Sequence, residues 1–355
     1  MVTIRDVARL AGVSPATVSQ ALNGRGRVDV RTRERVAQAA TKLRYAPNLS
    51  GRRLARRRAE CIAVLQGRNM TTVFNDSFYR VVLGGMAEVT QARGYSLVFT
   101  PPPPEAATDA DRNQLLCHGA VDGALVIGAL DATLLLALRH HGLPIVLVDN
   151  YVPGADLPAV TPDYQAGARL ATDHLLRGGH RRVAFLGAAV SYPFGWQTLE
   201  GYGEALTAAG VSHDPALVRR TEIGVEAATG AMRSLLDQAE PPTAVFAVTD
   251  AMAIGALRAA RERGVRVPER LAVVGMDDIE MSAYTDPPLT TVRVAKDAMG
   301  RLAADWLIDL IEGGATGRLA PAVPAELVVR GTCGAPPMVA RSTVSTAEGA
   351  CPEER

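Results

Sequence analysis

Four polar residues directly follow short apolar runs that have the composition of buried strands. They are Asp149, Thr249, Asp250 and Asp277. Where strands run parallel, ligands lie just outside the carboxyl ends of the strands, so we expect these four side chains to share one rim of the fold. Carboxylate and hydroxyl oxygens accept hydrogen bonds from a ligand rich in hydroxyl groups. The pattern predicts a small-molecule site, and for each single residue the competing interpretation is loop capping or lobe packing.

A second set of chemically useful residues lies near the amino terminus. Ser14 is suited to cap a helix whose first residue is Pro15. A glutamine at Gln20 can pair with both N6 and N7 of adenine, whereas Pro15 and Ala16 offer apolar surface that suits a thymine methyl group. We expect these three residues to face base edges. The polar side chains placed for phosphates are Thr17, Ser19 and Asn23.

Three short helices are needed to position this set, and the sequence predicts them. Thr3 and Asp6 form a capping box, and Gly12 stands where the first helix ends. A third helix is expected over residues 31–44. The inward-facing residues of the three helices are Ile4, Val7, Ala8 and Ala11; Val18, Ala21 and Leu22; and Val36, Ala39, Ala40 and Leu43. Together they describe a helix-turn-helix unit, whose second helix enters the major groove. Thr3 and Ser14 join the DNA-facing candidates, and a plain helical bundle with solvated arginines is the alternative.

The charge distribution supports nucleic-acid binding by this unit. Residues 1–60 hold 14 Arg or Lys and 4 Asp or Glu, a net charge of +10. The other 295 residues hold 24 basic and 33 acidic residues, a net charge of −9. Such a division predicts a polyanion-binding head on an acidic body. Five arginines lie within residues 52–58, and composition leaves open whether residues 48–58 form a plain linker or a helix that orders on DNA.

The composition of the 355 residues also excludes several classes of protein. With 48% hydrophobic and 21% charged residues the chain is globular, and no apolar run reaches the roughly 18 residues of a membrane span. The first six residues lack a signal-peptide core, which predicts a cytoplasmic protein. Four scattered cysteines (Cys61, Cys117, Cys333 and Cys351) predict neither a disulfide framework nor a metal site. We expect no metal, no cofactor and no membrane association.

From residue 61 onward, short β-rich runs alternate with amphipathic helices. This alternation predicts parallel sheets covered on both faces, and about ten such units are too many for one modest sheet. Two α/β subdomains are therefore expected. The predicted strands are 61–65, 95–100, 124–127, 145–148, 183–186, 244–248 and 271–274, and the predicted helices are 78–92, 165–177, 198–209, 226–238 and 251–263.

Several stretches of the chain closely resemble the lactose/galactose repressor (LacI/GalR) family. They are VTIRDVA (2–8), GVSPATVS (12–19), LNG (22–24), YAPN (45–48), GGHRRVAF (178–185), VGMDD (274–278) and PPLTTV (287–292). The resemblance implies an N-terminal three-helix helix-turn-helix domain with a hinge helix at 48–56, ordered only in a dimer on DNA. Arg52 and Arg53 would contact DNA there, and Leu54 would wedge into the minor groove. Ser50 and Gly51 depart from the usual hinge residues.

The resemblance further implies an α/β two-lobed, periplasmic-binding-protein-like body with two doubly wound parallel sheets. The chain would cross between the lobes near Thr161, Thr291 and Ala320. The expected organisation is a DNA-binding domain at 1–47, a hinge and linker at 48–60, an effector-binding and dimerisation domain at 61–334, and a flexible tail at 335–355. Lobe 1 would comprise about 61–160 and 292–320, and lobe 2 about 161–291 and 321–334.

By family position, the resemblance also implies a set of effector contacts between the lobes. The set is Asp76, Phe78, Asp149, Tyr192, Phe194, Thr198, Thr249 and Asp277, and Trp196 belongs to the same aromatic segment. Thr198 stands where many family members place an arginine that holds a polar or charged effector group. The aromatic faces suit sugar rings, nucleobases or other planar ligands, so the effector class stays open.

The sequence thus predicts a homodimeric, ligand-responsive repressor that binds a near-palindromic operator in double-stranded DNA. The direction of the effector's action, release of DNA or promotion of binding, stays open. One alternative is a solute-binding protein, which predicts a signal peptide and no basic head. The other is an α/β enzyme, but none of the patterns GxGxxG, GxxxxGK[ST], GxSxG or HExxH is present. We therefore expect no enzymatic activity.

Overall fold

The computed structural model describes most of the chain in two compact units, Met1–Ala59 and Glu60–Arg355. The described residues are 2–22, 28–45, 58–66, 70–100, 119–128, 132–152, 157–188, 193–314 and 323–334. Five residues of the predicted sites lie outside them: Asn23, Arg52, Arg53, Leu54 and Tyr192. The hinge segment and the expected tail at 335–355 also lie outside the described residues.

The first unit is the predicted three-helix arrangement: α1 (Ile4–Ala11), α2 (Pro15–Leu22) and α3 (Val30–Lys42). Val7, Val18 and Val36, one from each helix, are fully buried and meet in a single apolar cluster. The carboxylate of Asp6 accepts hydrogen bonds from the backbone N–H and the hydroxyl of Thr3, which confirms the predicted capping pair. Gly12 ends α1 with φ +64°, a left-handed conformation that favours glycine.

The second unit contains two sheets, as predicted, and the first is entirely parallel. Its strand order is β2–β1–β3–β4–β5, with β1 (Cys61–Gln66), β2 (Ser96–Thr100), β3 (Gly123–Ile127), β4 (Ile145–Val148) and β5 (Ala159–Val160). The helices that belong to this lobe are α4 (Met70–Asn75), α5 (Ser77–Ala92) and α6 (Ala132–His140). The central strands are buried on both faces, as parallel strands between helices are.

The second sheet has the strand order β11–β10–β9–β8–β6–β7. Its strands are β6 (Val183–Ala188), β7 (Val218–Thr221), β8 (Ala244–Ala247), β9 (Ala272–Asp277), β10 (Thr290–Val294) and β11 (Ala325–Val328). Only the β10–β11 pair is antiparallel. The accompanying helices are α7 (Tyr164–Arg177), α8 (Pro193–Ala208), α9 (Val225–Leu236) and α10 (Asp250–Glu262). One continuous apolar core includes buried residues from both lobes.

The chain first passes between the lobes after β5, near the predicted Thr161, and its return passage lies later than predicted. Strand β10 continues to Val294 because it pairs with β9 on one side and β11 on the other. Residues 292–294 therefore belong to the second lobe, and the return passage comes after Val294 instead of near Thr291. Helix α11 (Lys296–Ile311) then packs on α5 of the first lobe. The third predicted passage, near Ala320, lies outside the described residues; the chain resumes at Val323, whose N–H donates to the carbonyl of Thr161.

Three helix pairs pack so closely that a glycine is required at each contact. A Cβ on Gly300 of α11 would lie 2.0 Å from the carbonyl oxygen of Val82 in α5. A Cβ on Gly201 of α8 would lie 2.1 Å from the carbonyl oxygen of Gln165 in α7. Gly255 makes the corresponding contact between α10 and α9. These pairs cover the sheets and hold the strand ends in place.

Within the described residues, no helix combines the length and the apolar character needed to cross a bilayer.

Candidate nucleic-acid interface and ligand cleft

Helix α2 presents one buried and one accessible face. Val18 and Ala21 are buried against the other two helices, whereas Pro15, Ala16 and Gln20 are exposed. The three residues predicted to face base edges therefore lie on the outer surface of the head. This surface is accessible to a partner without any rearrangement of the core.

The polar candidates around α2 are partly engaged in capping. The Ser14 hydroxyl oxygen accepts from the backbone N–H of Thr17 at 3.1 Å and lies 2.9 Å from the Thr17 hydroxyl. Thr17 and Ser19 are half-buried. Thr3 is exposed, and its hydroxyl donates to Asp6. These bonds fix the start of each helix, and they leave Ser14 and Thr3 on the surface.

The second unit contains a cavity of about 280 Å³ where the carboxyl ends of the two sheets meet. Six of the nine predicted effector residues line it: Asp76, Phe78, Asp149, Phe194, Thr249 and Asp277. The other lining residues, which the sequence analysis does not include, are Asn75, Ser77, Tyr79, Tyr164, Ile223, Val248, Ala251 and Ile279. Residues of both lobes form the wall, so the cavity is a cleft between them.

Asp149 holds a buried position directly after strand β4. Its backbone adopts φ +58°, a left-handed conformation that is uncommon for a residue with a side chain and that recurs at functional sites. Its carboxylate accepts hydrogen bonds from the hydroxyls of Tyr79, at 2.8 Å, and Tyr164. Burial raises the pKa of Asp149 to about 6. Since Tyr164 begins α7 of the second lobe, this bond joins the two lobes across the cleft.

Asp277, the last residue of β9, differs from Asp149 in its partners. Its side chain is 92% buried in the molecule, being 8% exposed, and its carboxylate accepts no hydrogen bond from the described residues. Its backbone also has a positive φ, +121°. Burial, and then the nearby carboxyl of Asp250, raise the pKa of Asp277 well above its ordinary value. Asp277 is therefore a buried acceptor that faces the cleft and awaits a donor.

Lys296, at the start of α11, approaches the same strand end from the first lobe. Its ammonium donates to the backbone carbonyls of Asp277, Asp278 and Val294. It also lies 6.0 Å from the centroid of the Phe78 ring. Burial lowers the pKa of Lys296. The ammonium thus braces the junction between α11 and the second sheet, and it does not line the cleft.

Two predicted carboxylate and hydroxyl positions act as helix caps. Asp76 caps α5 by accepting from the N–H of Phe78 at 2.8 Å, and burial raises its pKa. Thr249 caps α10 by accepting from the N–H of Met252 at 3.2 Å. Both still line the cleft. For these two residues, capping and lining are compatible because the helices begin at the rim of the sheets.

Asp250 is not among the lining residues although it follows the end of β8. It is fully buried and accepts hydrogen bonds from the N–H of Ile279 and the hydroxyls of Ser282 and Thr291. Burial raises its pKa to about 6. The three donors tie α10 to the segment after β9 and to strand β10. Asp250 is therefore a packing residue of the second lobe.

The predicted contacts in helix α8 are not all brought to the cleft. Thr198 is fully buried, and its hydroxyl donates to the carbonyl of Phe194 within the helix, so its side chain is turned away from the cavity. Trp196 is half exposed, and its indole N–H donates to the hydroxyl of Tyr151 in the first lobe. Tyr192 lies outside the described residues. Trp196 thus connects the lobes beside the cleft without lining it.

The residues that sequence reasoning missed carry a recognisable pattern. Tyr79 follows Phe78 in the same helical turn, and Tyr164 follows Asp163, which caps α7. An aromatic residue beside a helix cap, at the rim of a parallel sheet, indicates a side chain that reaches across the rim. Ile223 and Ile279 lie in loops after strands and carry no such pattern.

Comparison with known proteins identifies both units. Residues 3–48 match the model of bacterial regulatory proteins of the lacI family, and residues 172–333 match that of a periplasmic binding protein-like domain. The chain is 35% identical over 340 residues to the HTH-type transcriptional regulator CelR of Thermobifida fusca, covering 92% of this chain and 97% of CelR. It is 32% identical over 338 residues to the HTH-type transcriptional repressor CytR of Escherichia coli K12, covering 94% and 97%.

Two solved structures extend the likeness to three dimensions. The transcriptional regulator CelR–cellobiose complex superposes with a TM-score of 0.71 at 34% identity, covering 94% of this chain and all of that chain. The lac repressor dimer bound to operator and the anti-inducer ONPF superposes with a TM-score of 0.80 at 27% identity, covering 94% and 99%.

Proposed function

Because the chain belongs to the LacI family of bacterial regulatory proteins, we propose that it is a homodimeric repressor whose hold on operator DNA changes when a small molecule occupies the cleft. As a family member it is a DNA-binding transcription regulator that responds to a ligand. Each subunit reads one half of a near-palindromic operator, because a two-fold dimer presents two recognition helices. The ligand is a polar metabolite such as a sugar or a related compound.

One observation carries the proposal: the same chain has an exposed recognition face on α2 and a buried cleft in which the carboxyl of Asp277 has no hydrogen-bond partner among the described residues. Pro15, Ala16 and Gln20 are exposed on the head. Asp277 is buried in the cleft with no hydrogen-bond donor among the described residues. A buried polar group that makes no hydrogen bond is costly, which favours a ligand that bonds to it. A binding surface for DNA and a binding site for a metabolite in one chain are what a regulator needs.

The contacts between the lobes explain how a ligand changes the state of the protein. Tyr164 of the second lobe donates to Asp149 of the first, and Trp196 donates to Tyr151. A ligand that competes for Asp149, or adds bonds across the cleft, favours one lobe arrangement over the other. Only this differential affinity shifts the equilibrium between states. In our proposal the shift reaches operator DNA through the hinge segment that joins the two units.

The homodimer requires a self-complementary surface, and the first lobe offers one. Strand β2 is an edge strand whose outer residues Val98 and Phe99 are exposed, and Phe74 lies against Phe99 with ring centroids 5.0 Å apart. Phe74 and Phe99, together with residues of α5, line an apolar groove of about 500 Å³. An exposed apolar edge invites pairing with another chain. We assign this face to the second copy.

We further propose that the protein acts in the cytoplasm and returns its ligand unchanged. Its relatives are named as transcription regulators and repressors, and operator DNA is a cytoplasmic partner in bacteria. A turnover assay on any compound that binds the cleft tests this point, since an enzyme consumes the compound and a regulator does not.

The proposed function can be tested by selecting the sequences that the full-length protein binds from random duplex DNA. The selection is made at two salt concentrations. We expect a near-palindrome of some 14–20 base pairs with a flexible pyrimidine–purine step at its centre. Enrichment of an asymmetric site, or of no site both with and without the low-molecular-mass fraction of a bacterial extract, contradicts the proposal of a two-fold, ligand-responsive repressor.

The same selection tests the recognition face. Gln20→Ala removes a side chain able to pair with adenine, so discrimination at one position of each half-site falls by roughly 1–3 kcal/mol. Gln38→Ala is the matched control, because Gln38 is exposed on α3 outside the recognition helix. If both variants select the wild-type sequence with equal stringency, Gln20 has no role in base recognition.

A further inference from the structure

The described wall of the ligand cleft carries acidic groups and no basic one. Three carboxyl groups line it, those of Asp76, Asp149 and Asp277. The described lining residues include no lysine, arginine or histidine. Burial raises the pKa of all three carboxyls, and a positively charged ligand would favour their ionised form, which a neutral ligand cannot do.

Lys296 is a cation near the rim of the cleft, and its hydrogen bonds are made to the backbone. The ammonium of Lys296 donates to three backbone carbonyls, including that of Asp277 at the end of β9. It is held at the base of α11 and is not part of the cleft wall. The charge of Lys296 therefore lowers the pKa of Asp277 in part, but its ammonium donates hydrogen bonds to backbone carbonyls and not to the carboxyls of the cleft.

An anionic ligand would meet three carboxyl groups in the described wall of the cleft, whereas the nearby ammonium of Lys296 lies outside that wall and is bonded to backbone carbonyls.

The three carboxylates are not equally available. Asp149 already accepts from two tyrosines, and Asp76 accepts from the N–H of Phe78. Asp277, buried and facing the cleft, accepts nothing from the described residues. It is the group that an occupant must satisfy, and a charged donor satisfies a buried carboxylate best.

The aromatic walls suit the same kind of occupant. Phe78 and Phe194 line the cleft together with Tyr79 and Tyr164, and the rings of Tyr164 and Phe194 lie 5.1 Å apart, tilted by 32°. Aromatic faces attract ammonium groups and also cover the apolar face of a sugar ring. Both features can be satisfied by one small molecule.

We propose that the effector of this cleft is a hydroxylated amine, such as an amino sugar, whose ammonium group binds Asp277 while its hydroxyls contact the tyrosines. The inference rests on the proposed function of the cleft as an effector site. Neutral sugars of the same shape bind more weakly, and sugar acids and sugar phosphates are excluded by the carboxylates.

Ligands of similar size and different charge test this proposal by calorimetry on the full-length protein at about pH 6.5, where amines are protonated and sugar acids ionised. One set is glucose, glucosamine and glucuronate. The other is cellobiose, the β-1,4-linked glucosamine disaccharide and cellobionate. We expect the amine of at least one set to bind at least about tenfold more tightly than its neutral parent, a difference of about 1.4 kcal/mol. Equal or tighter binding of the neutral parents, measurable binding of an acid, or no binding of either amine overturns it.

Two further measurements separate recognition from folding. Asp277→Asn keeps the shape of the side chain and removes its acidic group, so it should abolish the amine preference, and the amine and its neutral parent should bind this variant with affinities within about threefold of each other. Asp173→Asn, which changes the net charge equally outside the cleft wall, should leave the preference intact. In the wild type, rising salt should weaken amine binding and spare the neutral parent. Operator selection on the same preparation decides the proposed function independently of these results.

Discussion

At the scale of single residues, three carboxyl groups placed by similar sequence patterns end in different surroundings. Asp149 accepts from two tyrosines, Asp250 accepts from three donors within its own lobe, and Asp277 accepts from no described residue. Position after a strand brings all three near one rim. Their hydrogen-bond partners distinguish their roles. Asp250 stabilises the packing of the second lobe, Asp149 joins the two lobes, and Asp277 is available to a ligand.

The raised pKa of Asp149 makes the stability of the body depend on pH in a defined direction. A raised pKa means that the folded protein binds this proton more tightly than the unfolded chain does. The stabilising contribution is complete below the ordinary value of 3.8 and is lost as the pH rises through about 6. Relative to Asp149→Asn, the wild type should therefore lose roughly 3 kcal/mol of unfolding free energy between about pH 4 and pH 7.

Urea unfolding of both proteins across this pH range measures the difference. Asp173→Asn provides a control for the change of net charge, because Asp173 is a half-buried residue of α7 outside the cleft wall whose carboxylate lies 3.9 Å from the guanidinium of Arg177. A difference for Asp149→Asn that is flat, or that grows in favour of the wild type with rising pH, contradicts the assignment.

Sequence patterns predicted which residues reach the cleft better than they predicted what those residues do there. Asp76, which the family position implies, and Thr249, which follows a predicted strand, both line the cleft, and each also caps a helix that begins at the rim. Thr198 was expected in the cleft from its family position, but threonine is short and bonds its own helix backbone, so it stays buried. The tyrosine partners of Asp149 depend on contacts between residues 15 and 70 positions apart, which no local pattern encodes.

At the scale of helices and strands, the approach of paired helices depends on single glycines. Gly201 and Gly203 lie two positions apart in α8 and face different surroundings. A Cβ at Gly201 would meet the backbone of α7, whereas a Cβ at Gly203 would meet nothing within 4 Å. The two positions form a matched pair on one helix.

Substitution of this pair by alanine should have opposite effects. Gly201→Ala forces α7 and α8 apart and should lower the unfolding free energy by about 1–3 kcal/mol. Gly203→Ala should raise it by up to about 1 kcal/mol, because alanine favours the helix and meets no obstacle. Chemical denaturation of the two variants measures both changes. Equal effects of the two substitutions would show that helix propensity, and not the close approach, dominates at Gly201.

The elements that the sequence predicted are those with strong local patterns. The three helices of the head and the fully buried strands β1, β4 and β8 belong to this group. Strands β7 and β10, with sequences VRRT and TTVRV, were not predicted, because they mix polar and apolar residues and become strands only by pairing with neighbours. The end of β10 at Val294 likewise follows from its two partners, which is why the passage between lobes lies later than expected.

At the scale of the whole molecule, the account depends on two copies acting together. Phe99→Glu places a charge on the apolar edge that we assign to the dimer contact. It should weaken dimerisation by about 30-fold or more, as loss of a central contact does. Leu302→Glu, which introduces the same charge at another exposed apolar residue of the body, is the control. Sedimentation equilibrium measures the dimer dissociation constant of both variants. Equal effects of the two substitutions would show that the dimer interface does not include β2.

The central claim is that occupancy of the cleft controls binding of operator DNA. The most direct test is to measure the dissociation constant of the full-length protein for its selected operator. The measurement is made with and without the low-molecular-mass fraction of an extract from the bacterium that encodes this protein. The account predicts a change of at least about fivefold, in either direction, the lower end of ordinary allosteric coupling. Asp277→Asn should bind the operator as the wild type does without extract and lose this response. An unchanged dissociation constant for the wild type, or a full response in Asp277→Asn, would contradict the claim.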